Sequence, residues 1–171
     1  MEEASSWRRV AEIDVKMGSY SISNHQNSAL TTFVGSCIAL CMYEPAAKVG
    51  GLAHIMLPSS EGRYMPADGH EAKYADHALK VVVEGMKQKG ARVDLLISKL
   101  IGGAKTFTNE NSAADLFNIG ERNYLSIKSL LTQYNIPVLA EDIGSTQGRW
   151  VKLDVSTGQV TVRNKTSEVI L

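Results

Sequence analysis

With 171 residues, 44% of them hydrophobic and 21% charged, the chain is long enough to bury the core of one ordinary domain. Its 18 basic residues are matched by 18 acidic ones, giving a formal net charge of zero, so it lacks the basic footprint of a nucleic-acid binder. The longest apolar run, near Ile38 to Tyr43, is too short to span a bilayer, which argues against membrane insertion.

The acidic start Met1-Glu2-Glu3 has no hydrophobic segment behind it, so no signal peptide is expected. Cys37 and Cys41 lie too close together to staple a fold, and a reducing cytoplasm is the natural setting. No repeat, low-complexity tract or long linker divides the sequence. It reads as one domain over 1–171, with its core at about 11–165.

In chain order, Ala11 to Ser23 alternates Ile13, Val15 and Met17 against polar neighbours, predicting one half-buried strand. A polar loop over Asn24 to Ser28 follows. Leu30 to Val34 and Cys37 to Tyr43 carry residues suited to strands. The Glu44-Pro45-Ala46-Ala47-Lys48 turn leads to a further strand, Val49 to Leu57. Ser59 to Gly69 reads as a loop. Ala75, Ala78, Leu79, Val82, Val83 and Met86 then recur at helical spacing, with Gly90 as terminator.

Val93 to Ile101 predicts a buried strand, and Ala104 to Asn118 a polar loop. A second helix over Gly120 to Tyr134 would bury Tyr124, Ile127, Leu130, Leu131 and Tyr134, ending before Pro137. Val138 to Asp142 reads as a strand. Val151, Leu153 and Val155, then Ser156-Thr157-Gly158, then Val160 and Val162 predict a hairpin. The expected class is α+β: a sandwich of mixed β-sheets with two or three helices on one face and a cysteine-hydrolase-like site.

If the chain folds back within Glu44 to Val49, opposed residues have numbers summing to about 91, which sets Cys37 opposite His54. A neutral thiol is a poor nucleophile, and an adjacent imidazole can take its proton. Gly35-Ser36 would let a substrate approach the backbone closely, with the Cys37 amide as a donor to a developing oxyanion. Cys41, four residues along the same face, has no opposing histidine and reads as core packing. Cys37, Cys41, His54, His70 and His77 lack zinc-site spacing. Lys105 reads as a solvated lysine, and Trp7 and Trp150 as packing residues. Asp68 and His70 could form a second acid–base pair, without any implied geometry.

The run Thr31-Thr32-Phe33-Val34-Gly35-Ser36-Cys37-Ile38-Ala39-Leu40-Cys41, followed by Gly50-Gly51-Leu52-Ala53-His54-Ile55-Met56-Leu57-Pro58, resembles the CheD family of chemoreceptor glutamine deamidases. Tyr74-Ala75, Ile101-Gly102-Gly103-Ala104, Ile119-Gly120-Glu121-Arg122-Asn123, Glu141-Asp142-Ile143-Gly144 and Gly148-Arg149 continue it in order.

The resemblance implies a protein-glutamine glutaminase: a cysteine amidohydrolase acting on the helical cytoplasmic region of methyl-accepting chemotaxis receptors. Some members also hydrolyse glutamyl methyl esters. It implies Cys37 as nucleophile, His54 as base and a threonine five or six residues before the cysteine. Gapless spacing favours Thr31, with Thr32 as the alternative. It implies no cofactor and no metal, and a CheC-type phosphatase as a partner. The alternative reading is a mainly non-catalytic regulator of that phosphatase. A monomer is expected. Phe33 and Ser145-Thr146-Gln147 depart from the family's usual residues, which would alter a pocket wall and a loop near Arg149.

Overall fold

The computed structural model describes residues 9–64, 66–105 and 118–171. Trp7 and nearly all of the Ala104 to Asn118 loop lie outside the described residues. In chain order the elements are β1 Ala11–Asp14, β2 Tyr20–Ser23, β3 Ser28–Val34, β4 Ile38–Glu44, β5 Val49–Ile55, α1 Ala75–Gln88, β6 Ile97–Gly102, α2 Ile119–Gln133, β7 Val138–Ile143, β8 Arg149–Asp154, β9 Val160–Arg163 and β10 Glu168–Ile170. They build two five-stranded mixed sheets. One has the order β1-β3-β8-β9-β10, the other β2-β5-β4-β6-β7.

The α+β class and the sandwich of mixed sheets are as the sequence indicated, with two helices on one face. Leu40, Met42, Ala53 and Leu100 of the second sheet bury against Leu79, Val82 and Met86 of α1 and Ile127 and Leu131 of α2. The opposite face of that sheet presents Ala39, Cys41, Leu52 and Ile101 to Leu30, Val34, Val151 and Leu153 of the first. Three layers result: helices, inner sheet, outer sheet. Strands β4 and β5 are buried over their whole length, because both of their faces are covered.

Adjacent glycines in β5 set the spacing of all three layers. Successive residues of a strand face opposite ways. A β-carbon on Gly50 would stand 3.3 Å from Val155 of the outer-sheet side, and one on Gly51 would meet Ile22, Val82 and Met86 at 2.9–3.1 Å. Sheet and helix therefore both approach the β5 backbone more closely than a side chain would allow.

The six apolar positions expected on the first helix are its buried residues. Gly90 follows at φ +97°, the left-handed backbone expected just past a helix end. Three expectations need correction. Ala11 to Ser23 is two strands in different sheets: the chain turns at Gly18, with φ +73°, and crosses from the outer sheet to the inner one. Only Val15 of the alternating trio is buried: Ile13 lies on edge strand β1, on the face that Leu30 also uses, and stays 37% exposed there, and Met17 lies beyond the strand. The first part of Val93 to Ile101 is a 3-10 turn, Val93–Leu95.

On α2, Tyr134 is exposed, and the buried positions are Gly120, Asn123, Ile127 and Leu131. Two small or polar residues thus occupy the face where the helix N-terminus meets the end of β6. We expect Gly51→Ala to lower the stability of the fold by about 1–3 kcal/mol, the usual penalty for overpacking a close contact, measured by urea unfolding.

Candidate active site

The strands bearing the candidate residues are joined by a turn that is itself tied down. The buried Glu44 carboxylate accepts hydrogen bonds from the amides of Ala46 (2.6 Å) and Ala47 (3.2 Å), fixing the β4–β5 reversal. The ladder this sets is two residues away from the expected one. His54 is paired with Ala39, and Cys37 lies diagonally, just before β4 begins. Because the side-chain period of a strand is two, a two-residue slip preserves the face. Cys37 packs among the residues between the sheets, and His54 reaches the same space, where it touches β3 of the outer sheet. Diagonal neighbours on one face remain within reach of long side chains.

The partner of His54 is Thr32. Its Oγ1 lies 2.8 Å from His54 Nδ1 and 2.7 Å from the Val15 carbonyl oxygen. A hydroxyl has one proton to give. The Val15 carbonyl can only accept, so the Thr32 proton goes there, and Thr32 accepts the Nδ1–H of the ring. That assignment leaves Nε2 as the basic nitrogen. His54 Nε2 is buried and meets no hydrogen-bond partner among the described residues. The arrangement thus holds one tautomer with its lone pair free.

Thr31, favoured by gapless spacing, is on the other face of β3. Its hydroxyl is 3.5 Å from the Ile13 carbonyl, and the residue lines the outer groove. Of the two threonines it is Thr32, the alternative, whose hydroxyl meets the ring, because a shift of one residue along a strand turns the side chain to the opposite face. The sequence carried the signal. Leu30 and Val34 flank Thr32 at alternate positions, and all three are buried.

Electrostatically the pair is neutral at rest. Burial pushes the Cys37 thiol up from its ordinary value. Burial also lowers His54 to about 4, opposed only weakly by the charge of Asp14. Burial thus favours the uncharged thiol and the neutral imidazole, and no hydrogen bond joins Cys37 Sγ to His54 Nε2 among the described residues. Cys41 is fully buried, with its thiol pushed up to about 12, and has no imidazole opposite it.

The backbone around Cys37 is held from one side. Gly103 N–H donates to the Cys37 carbonyl (3.0 Å), and Ala104 N–H to the Gly35 carbonyl (2.9 Å). Asn123 Nδ2 donates to the Ser36 carbonyl (3.3 Å) and to the Met56 carbonyl (3.0 Å). Among the described residues no acceptor takes the amides of Gly35, Ser36 or Cys37. A run of carbonyls tied down with its amides free is the sort of concave donor set that binds anionic oxygen. Gly102, at φ +121°, is required here: a β-carbon on it would stand 2.2 Å from the Cys37 carbonyl oxygen.

Sequence reasoning passed over two supporting residues. Asn123 stands at an apolar-face position of α2, and its buried polarity was the available signal. Arg149 is buried and binds Asp142 (3.0 Å) and the Gly144 carbonyl (2.8 Å), bracing the ends of β7 and β8 beside Gly102.

A shallow groove of about 450 Å³, lined by Asp14, Met17, Thr32, Phe33, His54 and His70, opens beside the imidazole. A somewhat larger one, about 510 Å³, lies on the outer face of the outer sheet and does not include His54. Phe33 borders both. It packs against Trp150 with the rings tilted by 57° and their centroids 4.8 Å apart, over the space left by Gly148. Trp150 is 47% exposed, so it is half of a surface aromatic step rather than the packing residue expected. Lys105 is exposed, as anticipated.

The model of the CheD family, described as CheD chemotactic sensory transduction, matches residues 56–164. A Thermotoga maritima protein named chemoreceptor glutamine deamidase CheD is 39% identical over 149 residues, covering 87% of this chain and 89% of that one. A Desulforamulus reducens protein named probable chemoreceptor glutamine deamidase CheD is 37% identical over 153 residues, 90% of each chain. Among solved structures, a Neisseria meningitidis protein assigned to the DUF152 family superposes on 75% of this chain and 54% of its own, with TM-score 0.46 and 12% identity.

The buried histidine makes stability depend on pH. An unfolded imidazole takes up its proton below about 6.5, whereas folded His54 stays neutral down to about 4. Acid therefore favours unfolding: the contribution is full above pH 6.5 and is lost as pH falls towards 4. Between pH 7 and pH 5 the wild type should lose about 2 kcal/mol that His54→Gln does not lose, measured by denaturant unfolding at both pH values. Thr32→Val should change the Nδ1–H signal of His54 in an NMR spectrum, and Thr31→Val should leave it in place.

Proposed function

The chain belongs to the CheD family, and we propose that it hydrolyses glutamine side-chain amides of chemoreceptors to glutamate, with Cys37 as nucleophile, His54 as base and Thr32 orienting the base. The observation that carries this reading is the Thr32–His54 hydrogen bond. It favours a tautomer with Nε2 unbonded, on the sheet face that the ladder register also gives to Cys37.

In the first half-reaction His54 Nε2 takes the thiol proton as sulfur attacks the amide carbon. The tetrahedral oxyanion is met by the Cys37 amide and by its Ser36 and Gly35 neighbours, each effective donor being worth about 3 kcal/mol. The C–N bond then breaks, the imidazolium protonates the leaving nitrogen, and ammonia departs from a thioester. Water, deprotonated by the same nitrogen, attacks the thioester; glutamate forms and the thiol is regained. Thr32 keeps the ring in place as its charge changes, the part of a third triad member.

The shallow opening suits a substrate presented on a helix surface rather than a free amino acid. Its rim carries the Phe33–Trp150 aromatic step and His70. No helix among the described residues is long and apolar enough to cross a membrane, which accords with a proposed cytoplasmic site of action on the receptors' helical cytoplasmic region. We extend the proposal to a monomeric working unit and to a CheC-type phosphatase as a further partner.

Incubated with a receptor cytoplasmic fragment, the wild type should add the mass of about 1 Da per site that exchanging NH2 for OH brings, and Cys37→Ala should be slower by about 10⁴-fold or more. Undiminished conversion by Cys37→Ala would sink the mechanism. Since burial raises the Cys37 thiol and keeps His54 neutral, iodoacetamide alkylation of Cys37 should climb with pH through the alkaline range. A plateau of thiolate reactivity already reached at pH 6 would contradict the neutral resting pair.

A further inference from the structure

Asn123 is completely buried, although it is polar and lies on a helix that contributes no candidate catalytic group. Both of its neighbours at the amide nitrogen are carbonyl oxygens, so Nδ2 must face them. Its Oδ1 is buried and has no hydrogen-bond donor among the described residues. Burying an amide with its acceptor end unmet carries a cost, so the contacts made by the other end gain significance. One goes to Ser36, in the loop before the nucleophile; the other goes to Met56, two residues past His54. A single side chain therefore ties together the two segments that carry the thiol and the imidazole.

The Ser36 contact has a geometric consequence. The Ser36 carbonyl and the Cys37 N–H belong to one planar peptide unit, and no cis peptide bond occurs among the described residues. In a trans peptide the two groups point in opposite directions. Holding the carbonyl towards α2 turns the Cys37 N–H away from α2. A hydrogen bond to the carbonyl also polarises the peptide and strengthens the N–H as a donor. The helix is close enough to make this contact because Gly120 faces Gly103: a β-carbon on Gly120 would stand 2.6 Å from the Gly103 carbonyl oxygen.

We infer that Asn123 is a positioning residue for the oxyanion, acting through the Ser36–Cys37 peptide to aim the Cys37 amide at the tetrahedral intermediate. The inference rests on the deamidase reading above and deepens it. Asn123 touches no substrate atom. The Met56 contact does not reach the imidazole, and His54 keeps its own backbone bonds to Gly18 and Ser19 and its ring bond to Thr32, so the effect falls on steps that develop charge on oxygen and leaves substrate affinity and the displacement chemistry of the thiol alone.

The test compares full-length wild type with Asn123→Ala and with Asn123→Asp, which keeps the shape but replaces the donor with acceptors. Three rates are read: deamidation of a receptor cytoplasmic fragment, acyl transfer from p-nitrophenyl acetate through Cys37, and alkylation of Cys37 by iodoacetamide. The first two pass through an oxyanion; alkylation, a displacement at saturated carbon, does not. Both variants should lose about 10–100-fold in kcat for the first two reactions, with KM and the alkylation rate held to within about twofold.

Unchanged kcat, or alkylation falling in step with kcat, would overturn the inference, the latter because it marks general loosening of the site. If neither variant folds, Gly120→Ala keeps Asn123 but pushes α2 off Gly103, and the same kcat-only loss is expected; unaltered kcat there counts against the inference. Wild type that fails on the receptor fragment but turns over the ester overturns the deamidase reading instead, and the ester arm then decides the role of Asn123.

Discussion

The hydroxyl of Thr32 stands between a carbonyl that can only accept and a ring nitrogen that can do either. Its single proton goes to the carbonyl of Val15, and the ring is left to donate from Nδ1. From that assignment follow the tautomer of His54, the free lone pair on Nε2 and the neutral resting state that burial enforces. The bond also joins the two sheets, because Thr32 is on β3 of the outer sheet and His54 on β5 of the inner one. The imidazole is thus oriented from across the sandwich rather than by its own strand.

That arrangement needs the segment between β1 and β2. The chain crosses between sheets there, bringing the Val15 carbonyl to Thr32, while Ser19 accepts the amide of His54 and His54 accepts the amide of Gly18. A single crossing thus holds the threonine and the histidine at once. On the other side of the thiol, Ala104, Asn123 and Gly103 secure the carbonyls of residues 35, 36 and 37 in turn. The candidate site is consequently clamped by elements distant in sequence, and β5 supplies only the imidazole and the residue just before β4 only the thiol.

Much of the fold was legible because it follows from periodicity. The six buried positions of α1, the β4–β5 reversal and the final hairpin are local patterns in which apolar spacing matches the geometry of one element. The direct pairing of Cys37 with His54 gave way to Ala39 opposite His54, but their shared face was legible, because a two-residue error in register leaves facing unchanged. The threonine did not enjoy that tolerance. An uncertainty of one residue is fatal to facing, and spacing from the cysteine cannot resolve it when the intervening loop length is free. Alternation with Leu30 and Val34 would have picked Thr32, since a burial pattern reports facing directly.

The sequence by itself determined which residue types were available, which faces of the helices and of the central strands would be apolar, and that a thiol and an imidazole would share one side of a sheet. These depend on neighbours a few positions apart, where chain geometry allows little choice. Only the tertiary structure decided that Ala11 to Ser23 divides between sheets, that a buried asparagine on α2 grips the loop before Cys37, and that Val15 receives the threonine proton. Each of these is a contact between groups separated by many residues, selected by which surfaces close on one another. Hydrogen-bond roles in particular are set by the partner's chemistry, and no local pattern names the partner.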